Sequence, residues 1–328
     1  MHTYTSRQNR LYAAVDLGTN NCRLLIAETL GNKRGFRVRD SFSRIVKLGE
    51  GLETTGALSP AAQARTISAL RICASKIRGA GVRRMRCIAT EACRNASNGA
   101  AFVKQIRRET GLSFEVISGR DEAKLAAAGC GTLFNRDAAH IIVFDIGGGS
   151  TEIIRLDKRE NGRFGVNDVA SLPIGVVRLA ERHRSLHYGD MVEDVRAHFA
   201  TFMARQASIG DIETLQMIGT SGTVTTLSAM QMGLSRYDRS RVDGSVLDAS
   251  HMRTIIDMVR NQSRDELASH GCVGAARVDF VVAGCAVLDA LHEHFPVSQF
   301  SVADRGLRDG MLLRMMSHDR KKSYAKKA

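Results

Sequence analysis

Short apolar runs separated by glycine-rich or polar turns open the chain, and their spacing predicts strands at Leu11 to Leu17, Cys22 to Thr29 and Phe36 to Leu48. Ser59 and Pro60 then supply the cap and first turn of a helix that keeps Ile67, Leu70, Ala74 and Ile77 on one face and stops at Gly79. A strand from Arg86 to Thr90, a helix ending at Gly111, a strand from Phe114 to Ser118 and a helix starting near Arg120 complete a first half of order βββαβαβα. The opening then repeats. Strands at His140 to Ile146, Thr151 to Leu156 and Phe164 to Leu172 precede helices around Val176 to His183 and Met191 to Gln206. A strand before Gly219, a helix from Ser221 to Met230, further helices, a strand from Gln299 to Val302 and a last helix from Leu307 finish the chain. Alternation of this kind after a three-stranded meander predicts two α/β domains, each a mixed sheet covered by helices. The stretch Leu234 to Ser250 is polar and unpatterned, and is expected to be a mobile loop.

Both halves carry the same turn, as VDLGTNNCRLLI from Val15 and FDIGGGSTEIIR from Phe144. Each strand ends at an aspartate, passes through a Gly/Ser/Thr/Asn turn and re-enters an apolar run. Such a turn aims several backbone N–H groups at one spot, which suits phosphate, and the aspartate beside it suits a hard cation. Two of them facing each other would clamp a phosphate chain and its metal in a cleft between the domains. Asp16, Asp145 and Glu152 are the candidate carboxylates for Mg²⁺ or another divalent cation such as Mn²⁺. Either aspartate alone is explained by the preference of Asp for tight turns; both, in duplicated turns, point to a site. Gly147, Gly148 and Gly149 let backbone approach phosphate closely, and Ser150 and Thr151 add hydroxyls. A bare GGGST could equally be a floppy turn, but it lies between two strong strands. Arg23 takes in the first turn the position that Glu152 takes in the second. Ser221, in a Gly-Thr-Ser-Gly-Thr turn before a helix, is a second phosphate candidate or a plain helix cap.

Composition narrows the setting. A chain of 328 residues with 44% hydrophobic content can bury two cores. No run approaches a membrane span and the N-terminus MHTYTSRQNR lacks the apolar core of a signal peptide, so the expected location is the cytoplasm. The seven cysteines form no CxxC pair and read as reduced packing residues. His183 and His187 lack a third metal ligand nearby, and His292 and His294 do not form HExxH. The absence of tryptophan and the 5% aromatic content argue against a base-stacking platform, hence against a specific nucleic-acid partner. A formal net charge of +13 calls for an anionic ligand, although Arg320, Lys321, Lys322, Lys326 and Lys327 concentrate part of it in a tail.

The strings IATEACRNASN, ISGRDEAKLA, GTSGTVTTL and VADRGLRDG, with the two turns, make the chain resemble short members of the Ppx/GppA phosphatase family, within the actin-like ATPase superfamily. The resemblance spans Leu11 to Met316. It implies two duplicated actin/RNase H-like domains with an interdomain cleft. These would cover residues 11–130 and 131–305, with the last helix at 306–318 joining the first domain and a basic tail at 319–328. It implies Glu122 as the general base in GRDEAK, with Asp121 beside it as the competing carboxylate. Arg23, then Arg94, Arg308 and Arg305, are the phosphate-ligand candidates because guanidinium binds phosphate in a fork, against the plainer reading of any single arginine in so basic a chain as a surface charge. The expected activity is hydrolysis of terminal phosphoanhydride bonds of polyphosphate, the alternatives being hydrolysis of guanosine pentaphosphate or non-hydrolytic sensing of either ligand. A kinase of the same superfamily fits the narrower motifs less well, and ATP is not implied. A homodimer is a further expectation.

Overall fold

The computed structural model describes residues 10–30, 35–184, 187–206, 209 and 212–325. Most of the turn after the second strand, and Lys326 and Lys327 of the basic tail, lie outside them. The chain divides into two compact units, one formed by the chain up to Ile117 and again from Leu307, the other spanning Ser118 to Gly306.

In the first unit, β1 (Leu11–Leu17), β2 (Asn21–Thr29) and β3 (Phe36–Ile45) form an antiparallel meander. Helices α1 (Leu52–Thr55) and α2 (Pro60–Gly79) lead to β4 (Arg84–Ala89), then α3 (Glu91–Asn95) and α4 (Gly99–Thr110) lead to β5 (Phe114–Val116). The sheet order is β3-β2-β1-β4-β5, with β1, β4 and β5 parallel. The second unit starts with α5 (Gly119–Cys130) and repeats the meander in β6 (His140–Ile146), β7 (Thr151–Lys158) and β8 (Phe164–Leu172). There follow α6 (Val176–Arg182), α7 (Tyr188–Ala204), β9 (Leu215–Gly219), α8 (Gly222–Gln231), α9 (Arg239–Val242) and β10 (Val246–Asp248). Helices α10 (Ala249–Asn261), α11 (Arg264–Ser269) and α12 (Val278–His294) and strand β11 (Gln299–Val302) complete the unit. Its order β8-β7-β6-β9-β11 matches the first sheet strand for strand, with β10 added at the edge. The last helix, α13 (Leu307–Ala325), belongs to the first unit and takes in most of the basic segment.

The central strands β1, β2, β6 and β7 are buried on both faces, so alternate residues serve two different cores. In β6, Ile142, Phe144 and Ile146 join the large core under α6, α7, α8 and α12, whereas Ile141 and Val143 join a smaller one with Ala123, Ala127 and Cys130 of α5. In β1, Ala13, Val15 and Leu17 face the core of α2 and α4. Tyr12 lies on the opposite face, where its hydroxyl donates to Asp319 of α13 at 3.0 Å. The two helices are thus exchanged relative to chain order: α5 follows β5 but covers the second sheet, and α13 follows β11 but covers the first.

The stretch Leu234 to Ser250 is ordered, contrary to the expectation of a mobile loop. It forms α9 and β10, and β10 pairs with β11. Polar fastenings that no apolar pattern reveals hold it: Gln231 bridges to Val246 and Asp248, Ser228 meets Ser245 at 2.8 Å, and Tyr237 donates to Asp304 at 2.7 Å. The seven cysteines are all free and buried, and burial pushes the Cys87 and Cys93 thiols up to about 12. Such thiols are unreactive packing groups.

At the start of β6, away from the turn, Asp157 lies 2.8 Å from both His140 Nδ1 and Arg155 Nε, and Asn167 also donates to it. Burial alone would raise this carboxyl, but the hydrogen bonds from Arg155 and His140 outweigh it and hold the group below its ordinary value. Asp157→Asn is therefore expected to cost about 2 kcal/mol at neutral pH, because Arg155 is left buried beside a neutral amide. A lowered carboxyl contributes stability above roughly 3.9, the unfolded value, and loses it as pH falls through the folded one. Urea denaturation of both proteins along a descending pH series checks this: the gap should close at the acid end, and a gap that stays constant would refute the assignment.

Candidate active site

In the second unit the hairpin register sets Asp145 opposite Glu152, and Glu152 opposite Ser171. Strand alternation puts all three on the face covered by α5, as a row across β6, β7 and β8. Ser150 and Ser171 both donate to Glu152 Oε1 at 2.7 Å, so that carboxylate is fixed in place as an acceptor. The start of α5 seats on this row. A Cβ on Gly119 would collide with the Ser171 side chain and stand 3.6 Å from Glu152 Oε1, so only glycine lets the helix approach. Ser118 caps α5, accepting from the Asp121 amide at 3.2 Å. Within this first turn the two neighbouring carboxylates part. Asp121 accepts from the Ser118 hydroxyl and is exposed, whereas Glu122 is 8% exposed.

The turn above this row is closed by a hydrogen bond from Gly147 N to Ser150 O at 2.9 Å. Gly147 O and Gly148 O accept from Val176, Val177 and Arg178, which ties the turn to the start of α6. The Gly148 and Gly149 amides have no acceptor among the described residues.

The first unit holds the matching arrangement. Gly18 N bonds Asn21 O at 2.9 Å, Asp16 stands opposite Arg23, and the Thr19 and Asn20 amides have no acceptor among the described residues. Asp16 keeps some contact with solvent but is ringed by protein, and this desolvation pushes its carboxyl above the ordinary range although Arg23 and Arg308 pull it down. Arg308, in the first turn of α13, thus belongs with Asp16 and Arg23. Arg94 in α3 donates to the Ile117 carbonyl at 2.8 Å.

Other expected ligands have structural work. Thr151 is fully buried and its hydroxyl donates to Ile174 O at 2.6 Å rather than facing a ligand. Ser221 caps α8, accepting from Val224 N at 3.4 Å. Arg305 clasps Asp243 through Nε at 2.9 and 3.0 Å and Thr132 through Nη1 at 2.6 Å, which anchors the end of β11. His183 pairs with Asp194, and His292 is buried against Val297 O. Among the described residues no group of three or more His, Cys, Asp or Glu side chains gathers as a ready-made metal cage.

Two residues escaped sequence reasoning. Ser171 was invisible because its register depends on the irregularity in β7–β8 pairing at Arg155/Leu156. Glu91, buried in the five-residue α3, accepts from Thr19 Oγ1 at 2.8 Å and Asn95 at 2.9 Å and so braces the first turn. Nothing local links it to a threonine 72 positions away.

A family model, the Ppx/GppA phosphatase family, matches residues 32–319. The chain is 31% identical over 319 residues to exopolyphosphatase 2 of Mycobacterium tuberculosis, covering 92% of this chain and 97% of that one. It is 26% identical to the guanosine-5'-triphosphate,3'-diphosphate pyrophosphatase of Vibrio atlanticus, covering 94% of this chain and 60% of that one. The crystal structure of the Aquifex aeolicus Ppx/GppA family member superposes with a TM-score of 0.77 at 27% identity, over 94% of this chain and 98% of that one.

The seat of α5 yields a packing test. Gly119→Ala should destabilise by about 1–3 kcal/mol through overpacking against Ser171. Gly119→Ala combined with Ser171→Gly should cost less than the sum of the two single changes, as expected for residues in contact. Strict additivity in urea melts would mean that the helix does not rest there.

Proposed function

The chain belongs to the Ppx/GppA phosphatase family, and from that premise we propose that it is an exopolyphosphatase working in the cytoplasm. It is a phosphoanhydride hydrolase. The observation that carries the mechanism is the buried Glu122, held in the first turn of a helix seated on the Asp145–Glu152–Ser171 row. As base, the Glu122 carboxylate takes a proton from water while the water oxygen attacks the terminal phosphorus. The bond to the bridging oxygen breaks, orthophosphate leaves, and the shortened chain keeps that oxygen. In the second unit the unbonded amides of Gly148 and Gly149 neutralise phosphoryl oxygens; Arg23, Arg94 and Arg308 are the first unit's candidates for that role.

Asp145 and Glu152 are the second unit's residues that would hold Mg²⁺, and Asp16 is the first unit's candidate for the same role. Their oxygen-only donors suit a hard cation. When bound, the ion supplies charge neutralisation on the phosphate chain.

Polyphosphate is favoured over guanosine pentaphosphate because a charge of +13 with no tryptophan suits a uniform polyanion better than a guanine. The relative from Vibrio atlanticus, by its name, keeps the alarmone as the second reading. No helix among the described residues is long and apolar enough to cross a membrane, and the buried free thiols support a reducing compartment.

Glu122→Gln should leave fold and binding intact and reduce phosphate release by about 10²–10⁴-fold, whereas Asp121→Asn should be mild. Asp145→Asn should be partly rescued by raised Mg²⁺. The measurement is turnover of the three folded variants at saturating substrate and metal; near-normal turnover by Glu122→Gln would place the base elsewhere. With the parent enzyme, phosphate release from long polyphosphate should exceed that from guanosine pentaphosphate and bind more weakly as salt rises. The reverse preference with salt-insensitive binding would promote the alarmone reading.

A further inference from the structure

Lys47 is the one non-glycine residue with positive φ among the described residues, at 48°. Its conformation is imposed from both sides. Val46 and Leu48 are fully buried, and the Val46 and Lys47 amides both donate to the Asn20 carbonyl, at 2.9 and 3.0 Å. The Gly49 amide donates to Thr19 O at 2.9 Å, so residues 46–49 lie along the backbone of the first phosphate turn. The turn itself is closed by Glu50 N to Lys47 O at 3.2 Å, and Arg65 Nη2 reaches the same carbonyl at 3.3 Å.

Burial of Val46 and Leu48 demands the left-handed turn, but it does not demand lysine there. Glycine adopts that conformation freely and asparagine with little strain. Arg65, which reaches the Lys47 carbonyl, is neutralised by Glu50 at 2.6 Å. Lys47 is exposed and enters no ion pair among the described residues. Asn20, whose carbonyl holds Lys47, has a buried side-chain oxygen with no hydrogen-bond partner, and the residue is 8% exposed. An amide end of Asn can present either its oxygen or its N–H₂ to a ligand. An orphaned amide and an unpaired cation on a strained residue, both fastened to the same turn, describe a ligand-binding position rather than a solvated surface.

We propose that Lys47 is a further substrate contact, whose ammonium binds oxygens of the phosphate chain at the first turn. The inference rests on the hydrolase reading above and adds a residue from the third strand's exit loop to the binding surface. Lysine binds phosphate as a point charge on a flexible stem, so the contact should be tolerant of chain length and sensitive to salt.

The test compares Lys47→Gly and Lys47→Asn, which relieve strain and remove charge, with Lys47→Arg, which keeps both. Steady-state phosphate release from long polyphosphate should show KM raised about tenfold in the first two, the scale of one charge-assisted hydrogen bond. Their kcat should stay within about twofold, and Lys47→Arg should restore KM. The slope of log affinity against log salt should fall by about 0.7–0.9, one counterion's share, by analogy with nucleic acids. Their thermal midpoints should equal or exceed the parent's, so that affinity and stability move in opposite directions. An unchanged KM and salt slope in Lys47→Gly would overturn the proposal, and so would a KM that Lys47→Arg fails to restore. A parent enzyme that releases no phosphate from polyphosphate or guanosine pentaphosphate would overturn the hydrolase reading instead. In that event direct polyphosphate binding at several salt concentrations still decides for or against Lys47.

Discussion

The strand register behind each hairpin turn is the constraint on which the candidate residues of both units depend, and one hydrogen bond closes each turn in that register, Gly18 N to Asn21 O in the first unit and Gly147 N to Ser150 O in the second, both 2.9 Å. With that register Asp16 meets Arg23 and Asp145 meets Glu152. A slip of one residue would turn every side chain of the strand to the other face. Here both faces are buried, so a slip would send Asp145 into the large apolar core and bring Phe144 to the α5 face. The cost of burying an unpaired carboxylate excludes that alternative far more firmly than the turn geometry does.

The same register decides what each covering helix can do. Because Asp145, Glu152 and Ser171 stand in one row, α5 can approach only where it lacks a side chain, at Gly119, and that contact sets the depth of Glu122. The far end of α5 is also fixed by close packing, since a Cβ on Gly129 would collide with the Gly306 carbonyl. Arg305, clasped by Asp243 and with its carbonyl accepting from Thr220 at 2.7 Å, anchors the backbone just ahead of that glycine. An arginine that looks like a phosphate ligand in the motif therefore serves to hold the end of β11.

The first turn concentrates groups that burial and packing hold in costly states. Asp16 is desolvated near two arginines, and Lys47 sits in a conformation that costs a non-glycine residue roughly 1–3 kcal/mol. Both are held by surroundings that leave no choice: strand β1 buried on each side, and Val46 and Leu48 sunk in the core. Glu91 contributes by bracing Thr19, so the turn presents its amides from a rigid frame. Preorganisation of this kind places the cost of ordering in folding rather than in binding.

The sequence by itself determined the duplicated meander, the two glycine-bearing turns, their acidic residues and the correspondence of Arg23 with the position of Glu152, because period-two burial and turn chemistry are local signals. It also singled out GRDEAK, through resemblance, as the segment bearing Glu122. Only the tertiary structure sets Asp121 and Glu122 apart, since both suit a helix start and the fold buries Glu122 while leaving Asp121 exposed. It gave Thr151, Ser221 and Arg305 to backbone and ion-pair partners, and it ordered Leu234 to Ser250 through side-chain bonds between segments distant in the chain. The helix exchange that sets α5 on the second sheet and α13 on the first was likewise beyond local pattern. A helix's apolar face says that it must be buried, and only the fit of Gly119 on Ser171, or of Tyr12 on Asp319, says against what.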